Sequence, residues 1–206
     1  MALKIYGVPR SRAIRTLWMA TELGVAYEHV PVAVGPEGSR TPAFLAINPN
    51  GHVPAIDDDG VVIWESLAIN LYLAKKYGGS LAPANLAEDG QMTMWTLWAV
   101  TEAEPHCAAA MYNTLMLPEP DRNPTLVAAA LVALVAPLAV LEAALVKGGG
   151  YLIGGRFTVA DLNLATVLFY LRGNPEALAD KPAIRAWYAA CFARPAAKAA
   201  MALRGD

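Results

Sequence analysis

Two pairs of polar residues in the N-terminal third of the chain have the types and spacing to bind a small anion. Ser11 and Arg15 lie where a predicted first strand gives way to a first helix, and Glu65 and Ser66 open a later predicted helix. The first N–H groups of a helix have no acceptor within the helix, and the helix dipole favours negative charge beside them. The two helix starts, with their serine hydroxyls, are therefore predicted to hold a small peptide-like anion.

A turn and a proline step lie between these two pairs. Residues 48–52 have the turn-forming sequence Asn-Pro-Asn-Gly-His, Val53-Pro54 follows, and Glu65 comes eleven residues after Pro54. A proline inside a strand pair loses a hydrogen bond of the ladder. A cis peptide bond, which is largely confined to proline, is one way to accommodate it, and an ordinary loop proline is the alternative. The proline step and the helix start together are more specific than either alone.

The elements that position these residues alternate between strand and helix over the first 80 residues. Strands are predicted at residues 3–7, 27–34, 53–57 and 61–64, and helices at 14–21, 41–46 and 66–77. Gly24 and Gly78 are the expected ends of the first and third helices. This order predicts a small mixed sheet in which the first two strands are parallel and the last two form an antiparallel hairpin. It is the layout of the thioredoxin-like fold, which predicts an α/β domain over residues 1–80.

The second part of the chain has only helical patterns. Helices are predicted at 91–116, 125–146, 182–193 and 195–203, with Pro105 disturbing the first of them, and residues 79–87 are the expected linker. Thr158 is predicted to cap a further helix, with Asp161 reaching back to the cap and Phe157 packing on Leu162. An all-α domain is therefore expected over residues 88–206.

The composition limits the classes of protein to which this chain can belong. The chain has 206 residues, of which 56% are hydrophobic and 17% charged, and its net charge is −2, so disorder and a nucleic-acid partner are not expected. Cys107 and Cys191 form neither a Cys-x-x-Cys pair nor a metal-ligand cluster. The N terminus lacks the features of a signal peptide, and a reducing cytoplasm fits best.

One apolar stretch requires a comparison with membrane helices. Residues 126–141 carry no charge, but the run is shorter than the roughly 20 residues that a spanning helix needs, and Pro137 interrupts it. We therefore expect a core helix kinked near Pro137, and no membrane partner.

Taken together, these segments resemble the glutathione-binding domain of the glutathione transferase family, and the resemblance extends over almost the whole chain. The spacing of Ser11 and Arg15 is similar to that in the serine-type enzymes, and the chain is identified as a bacterial, cytosolic member. The resemblance implies a detoxifying transferase that uses glutathione as co-substrate and a hydrophobic small-molecule electrophile. It also implies a homodimer and neither a metal nor an organic prosthetic group.

The resemblance further implies roles for individual residues. Ser11 would be catalytic, because its hydroxyl would donate a hydrogen bond to the glutathione thiolate. At the Val53-Pro54 step, the Val53 backbone would pair with the cysteinyl backbone of glutathione. Glu65 would accept from the γ-glutamyl ammonium, and Ser66 would donate to the γ-glutamyl carboxylate.

Other residues are secondary candidates for the same site. Tyr6 is the alternative to Ser11 as the group that activates the thiol, and Arg15 accompanies Ser11. His52 and Arg40 are candidates for the glycyl carboxylate, and Tyr112 is the candidate polar group of the electrophile pocket. The apolar residues available to that pocket are Trp95, Trp98, Met111 and Met116.

Alternatives remain for both function and residue. A glutathione-dependent isomerase, dehalogenase or peroxidase would keep the fold and change the reaction, and a non-catalytic interaction module would keep the fold alone. Ser11 also has a purely structural interpretation as the N-cap of the first helix.

Overall fold

A four-stranded mixed sheet with helices forms the N-terminal part of the protein in a computed structural model that describes residues 3–205. Its elements are β1 (Leu3–Tyr6), α1 (Ala13–Leu23), β2 (Tyr27–Val30), α2 (Pro42–Leu45), β3 (Ala55–Asp58), β4 (Val61–Trp64) and α3 (Ser66–Tyr77). The strand order is β2-β1-β3-β4, with β1 and β2 parallel and the other pairs antiparallel. The predicted thioredoxin-like α/β fold is confirmed.

The ends of these elements follow from glycine and proline. α1 ends at Gly24, which has a φ of 66° and bonds back to the last turn, and α3 ends at Gly78. β2 stops at Val30 instead of continuing to residue 34, because Pro31 has no N–H for the ladder. β3 begins at Ala55 for the same reason, since Pro54 precedes it.

The remaining helices confirm the predicted all-helical second part. They are α4 (Leu86–Trp98), α5 (Glu104–Met111), α6 (Pro124–Lys147), α7 (Val159–Leu168), α8 (Pro182–Ala193) and α9 (Pro195–Ala202). α4 starts earlier than predicted because the Asn85 side chain caps it by accepting from the Glu88 N–H at 3.0 Å. A π-helical turn at Ala99–Ala103 separates α4 from α5, immediately before Pro105, so the predicted disturbance is confirmed.

The long helix α6 corrects the prediction of a core helix. Only one stripe of it is buried, and valines such as Val132 and Val135 on its other side are exposed. The helix contacts mainly α5 and the π-helical turns on either side of it, and a helix that packs against neighbours on one side buries only that side. By length and composition alone α6 is also able to cross a membrane, a test that core helices of soluble proteins pass as well. The absence of a membrane partner stays a prediction.

The described residues pack as two compact units. The first comprises residues 3–83 and 193–205, and the second comprises residues 84–192. The chain returns to the first unit because α9 packs on α1, and the Arg194 Nε donates to Glu22 Oε1 at 2.8 Å. The units thus differ at the C terminus from the predicted domains 1–80 and 88–206, and that division stays a prediction.

Candidate functional site

Ser11 lies in the loop that leads from β1 to α1. Its Oγ accepts a hydrogen bond from the Ala13 N–H at 3.1 Å and donates one to the Val8 carbonyl at 2.7 Å. The N-cap of α1 is Arg12, so Ser11 lies one residue before the N-cap position that its structural interpretation requires. It still satisfies the first N–H of the helix. An anion that replaced the Val8 carbonyl as acceptor would accept a hydrogen bond from the Ser11 hydroxyl.

A glycine allows this loop to approach the proline step. Gly7 has a φ of 133°, and a Cβ built on it would lie 2.8 Å from Ala13 Cβ and 3.0 Å from Val53 Cβ. The first distance is shorter than real Cβ contacts, and the second is tighter than most of them. The start of α1 and Val53 therefore meet across a residue that only glycine can occupy. The sequence gives no sign of this role, since Gly7 has the place of an ordinary strand end.

The Val53-Pro54 peptide bond is cis, which decides between the two predicted geometries. The turn before it is held by Asn48, which is buried: its Nδ2 donates to the His52 carbonyl at 2.7 Å, and its Oδ1 accepts from the Asn50 N–H at 3.0 Å. Asn48 was not among the predicted site residues, although the Asn-Pro-Asn-Gly sequence marked the turn. Its amide positions the backbone immediately before Val53.

The two basic candidates lie at the same turn. A Cβ built on Gly51 would lie 2.8 Å from Arg40 Cδ and 3.0 Å from its Nε, so the Arg40 side chain lies directly against Gly51. His52 is the next residue, and both the Arg40 and the His52 side chains are exposed. The Arg40 side chain and His52 therefore both lie at this turn, although they are 12 positions apart in the sequence.

A buried contact joins the two helix starts. The Arg15 Nη1 donates to Ser66 Oγ at 3.3 Å, although the two residues are 51 positions apart, and both are almost completely buried. Asn70, one turn further along α3, donates from Nδ2 to the Arg15 carbonyl at 3.4 Å. Because Arg15 supplies a donor to Ser66 Oγ, the Ser66 proton is available to an acceptor outside the helix.

Glu65 has a strained backbone at the start of α3. Its φ is 73°, and with Asp59 it is one of two non-glycine residues with a positive φ in the described chain. Such a conformation costs on the order of 1–3 kcal/mol and is retained where the surroundings impose it, often at ligand sites. Its carbonyl accepts the Ile69 N–H at 2.9 Å, which starts the helix, and its carboxylate is exposed. The predicted helix start at Glu65-Ser66 is confirmed.

The two tyrosine candidates are placed differently. Tyr6 ends β1, and its ring meets the edge of the Phe44 ring at a centroid distance of 6.2 Å. Tyr112 belongs to the second compact unit, where it opens the π-helical turn Tyr112–Met116 and is exposed. Among its apolar companions, Trp95 packs edge-on against Trp98 at 5.3 Å.

Two family models match the chain. The model described as the N-terminal domain of glutathione S-transferase matches residues 1–75, and the C-terminal domain model matches residues 124–190. Glutathione S-transferase 3 of Zea mays is 35% identical over 205 residues, covering 94% of this chain and 90% of that protein. Glutathione S-transferase F13 of Arabidopsis thaliana is 32% identical, covering 95% and 93%.

Solved structures agree with these relatives. The theta class glutathione S-transferase of the citrus canker pathogen Xanthomonas axonopodis pv. citri, solved with glutathione bound, is 35% identical and superposes with a TM-score of 0.87, covering 97% of this chain and 96% of that one. Glutathione transferase F7 of Populus trichocarpa is 29% identical with a TM-score of 0.89, covering 98% and 99%.

Proposed function

This chain belongs to the glutathione S-transferase family, and we propose that its first compact unit binds glutathione between the starts of α1 and α3 and the Val53-Pro54 step. The enzyme uses glutathione as co-substrate and conjugates its thiolate to small electrophiles. The observation that carries the site assignment is the buried contact between Arg15 Nη1 and Ser66 Oγ. It holds together the two helix starts whose N–H groups and hydroxyls suit a peptide-like anion.

Ser11 is the residue that we assign to the sulfur. A free thiol has a pKa near 8.5, so only about 3% of it is thiolate at pH 7, and a pKa lowered by about two units raises that to roughly three quarters. The shift requires about 2.7 kcal/mol of preferential thiolate stabilisation, which a charge-assisted hydrogen bond and a helix N-terminus supply together. The thiolate would replace the Val8 carbonyl as acceptor of the Ser11 proton, exchanging a neutral hydrogen bond for a stronger one. Tyr6 is the alternative donor.

The remainder of glutathione is assigned to the residues around Ser11. Ser66 donates to the γ-glutamyl carboxylate, and the exposed Glu65 carboxylate accepts from the γ-glutamyl ammonium. The Val53 backbone pairs with the cysteinyl backbone. Arg40, which lies against Gly51, and the following residue His52 suit the glycyl carboxylate.

Replacing Ser66 by alanine should weaken glutathione binding by about 1.5–3 kcal/mol, because it removes a hydrogen bond to a charged group. Titration calorimetry measures the affinity directly. Ser80→Ala is the matched control, since Ser80 lies outside the assigned site, and it should leave the affinity unchanged. An unchanged affinity in Ser66→Ala contradicts the site assignment.

Aryl-halide conjugation by the unmodified chain, run in parallel, separates a transferase from an isomerase, a dehalogenase, a peroxidase or a non-catalytic module of the same fold.

The protein should also sediment as a homodimer, because the family usually associates in that way and the composition is unusually apolar for a chain of this length. Analytical ultracentrifugation at micromolar concentration should give twice the mass of one chain. Sedimentation as a monomer throughout that range would exclude the dimer.

We place the enzyme in the cytoplasm, with no nucleic-acid or membrane partner.

A further inference from the structure

The loop that carries Ser11 begins at Gly7, and both backbone polar groups of Gly7 are bound to β2. The Gly7 N–H donates to the Val30 carbonyl at 3.0 Å, and the Gly7 carbonyl accepts from His29 Nε2 at 2.7 Å. Gly7 is a buried residue, and a buried carbonyl that loses its donor is costly. The His29 imidazole therefore fixes the point at which the chain leaves the sheet.

The His29 side chain makes this single contact. Because a carbonyl oxygen only accepts, Nε2 carries the proton, and it can donate in this way from a neutral or a protonated ring. The bond to Gly7 is the only hydrogen bond of this side chain within residues 3–205, and the residue is half-buried. A substitution that removes the His29 donor therefore removes one hydrogen bond, at the start of the loop.

A closed turn connects Gly7 to Ser11. The Val8 carbonyl accepts from the Ser11 N–H at 3.0 Å and from the Ser11 hydroxyl at 2.7 Å. Only one peptide unit, which is planar, lies between the carbonyl bound by His29 and the residue that closes this turn. The orientation of the Gly7 carbonyl therefore sets the direction in which the turn, and the Ser11 hydroxyl with it, leaves β1.

The C-terminal residues hold the middle of the same loop. The Arg10 Nε donates to the Arg204 carbonyl at 2.9 Å, and its Nη2 donates to the Gly205 carbonyl at 3.1 Å. The Arg204 Nη1 donates to the Pro9 carbonyl at 3.4 Å. The Arg10 bonds are exposed, so water competes for their donors and acceptors. These contacts hold the loop at the surface, whereas His29 holds it where it leaves the sheet.

We propose that His29 is a positioning residue for the thiol chemistry of Ser11, an inference that rests on the function proposed above for Ser11. By holding the Gly7 carbonyl, the imidazole keeps the turn in the orientation from which the Ser11 hydroxyl reaches the glutathione sulfur. Hydrogen bonds weaken steeply as their geometry is lost, so a turn that shifts without His29 stabilises the thiolate less. A donor of the same reach replaces the imidazole, and a shorter one does not.

The pKa of bound glutathione tests this role, and the ultraviolet absorbance of the thiolate reports it in the full chain saturated with glutathione. Gln and Asn carry the same amide, but only the longer Gln brings its nitrogen near the position of Nε2. His29→Asn should raise the pKa by about 0.5–1 unit, which is part of the two-unit shift assigned to the site. His29→Gln should stay within about 0.3 unit of the unmodified chain. Glu28→Asn, at the exposed neighbouring position on the other face of β2, should leave the pKa unchanged.

The same substitution in a Ser11→Ala background tests whether His29 acts through Ser11. Two residues that act through one hydrogen bond are not additive, so adding His29→Asn to Ser11→Ala should cause no further rise in the pKa. A further rise equal to that in His29→Asn alone would show that His29 acts on another group. Equal pKa values in His29→Asn and His29→Gln would show that the donor to Gly7 does not matter, and would overturn the proposal.

The failure of this inference and the failure of the Ser11 assignment give different results. If Ser11→Ala raises the pKa and His29→Asn does not, the Ser11 assignment stands and His29 has only a structural role. If Ser11→Ala itself leaves the pKa in place, the Ser11 assignment fails, and the inference fails with it. Should His29→Asn not fold, His29→Leu replaces it, since it also lacks the donor. An unshifted pKa in His29→Leu then contradicts the proposal.

Discussion

Replacing Ser11 by alanine should raise the pKa of bound glutathione towards the free value near 8.5 and slow conjugation selectively at low pH. With a bound pKa near 6.5, the thiolate fraction at pH 6.5 would fall about 50-fold. The more basic thiolate of the variant is also the better nucleophile, by about eightfold for a Brønsted slope of 0.4–0.5. The conjugation rate at pH 6.5 should therefore fall by about sixfold in total. At about pH 9 thiolate is plentiful in both proteins, so the loss should disappear and the better nucleophile should make the variant about sixfold faster. The pH profile of single-turnover conjugation measures the shift.

The Ser11 experiment separates chemistry from helix capping. If Ser11 has only a structural role, Ser11→Ala should cost about 1 kcal/mol of stability, because it removes the bonds to Ala13 and Val8. The shape of the pH profile should then be unchanged. Tyr6→Phe is the matched variant. If the pKa stays in place in Ser11→Ala and moves in Tyr6→Phe, Tyr6 has the role assigned here to Ser11. If it moves in neither, another group activates the thiol.

Replacing Asp161 by alanine should destabilise the protein by about 3–5 kcal/mol, because several buried donors lose the carboxylate that accepts their hydrogen bonds. Oδ2 accepts from the Thr158 N–H and hydroxyl at 2.9 Å each, and the bond from the N–H belongs to the predicted capping box. Oδ1 accepts from the Leu152 N–H at 3.0 Å and the Trp187 indole at 2.9 Å. Burial raises the pKa of Asp161, and these four donors oppose that rise. The carboxylate therefore ties α7 to α8 and to the segment before α7.

Denaturant unfolding followed by helical circular dichroism measures this loss. Asp161→Asn keeps the size of the side chain and one acceptor oxygen, so it should lie between the alanine variant and the unmodified chain. Asp121→Ala, at an exposed position of the same unit, should change stability by less than about 0.5 kcal/mol. Equal unfolding midpoints for Asp161→Ala and Asp121→Ala would show that the buried carboxylate contributes nothing to stability.

Local features of the candidate site were predictable because they depend on neighbouring residues. The capping box needs only Thr158 and Asp161, three positions apart, and the helix start at Glu65-Ser66 follows from a hairpin and a polar pair. The sequence alone therefore pointed to the two serines and the proline step as candidates for the site, and it predicted the thioredoxin-like order of elements. It missed Gly7, whose role is set by the approach of Val53, and Asn48, which the turn sequence marked but whose bond to the His52 carbonyl depends on how the turn folds.

The amino-acid sequence by itself determined where helices and strands begin and end, because caps, prolines, glycines and periodicity act within a few residues. Only the tertiary structure decided which distant groups meet. It placed the Arg15 guanidinium on Ser66, returned residues 193–205 to the first unit, and gave Asp161 its indole donor from Trp187. It also decided that α6 buries a single stripe, because hydropathy is a property of each residue whereas burial depends on the partner packed against it.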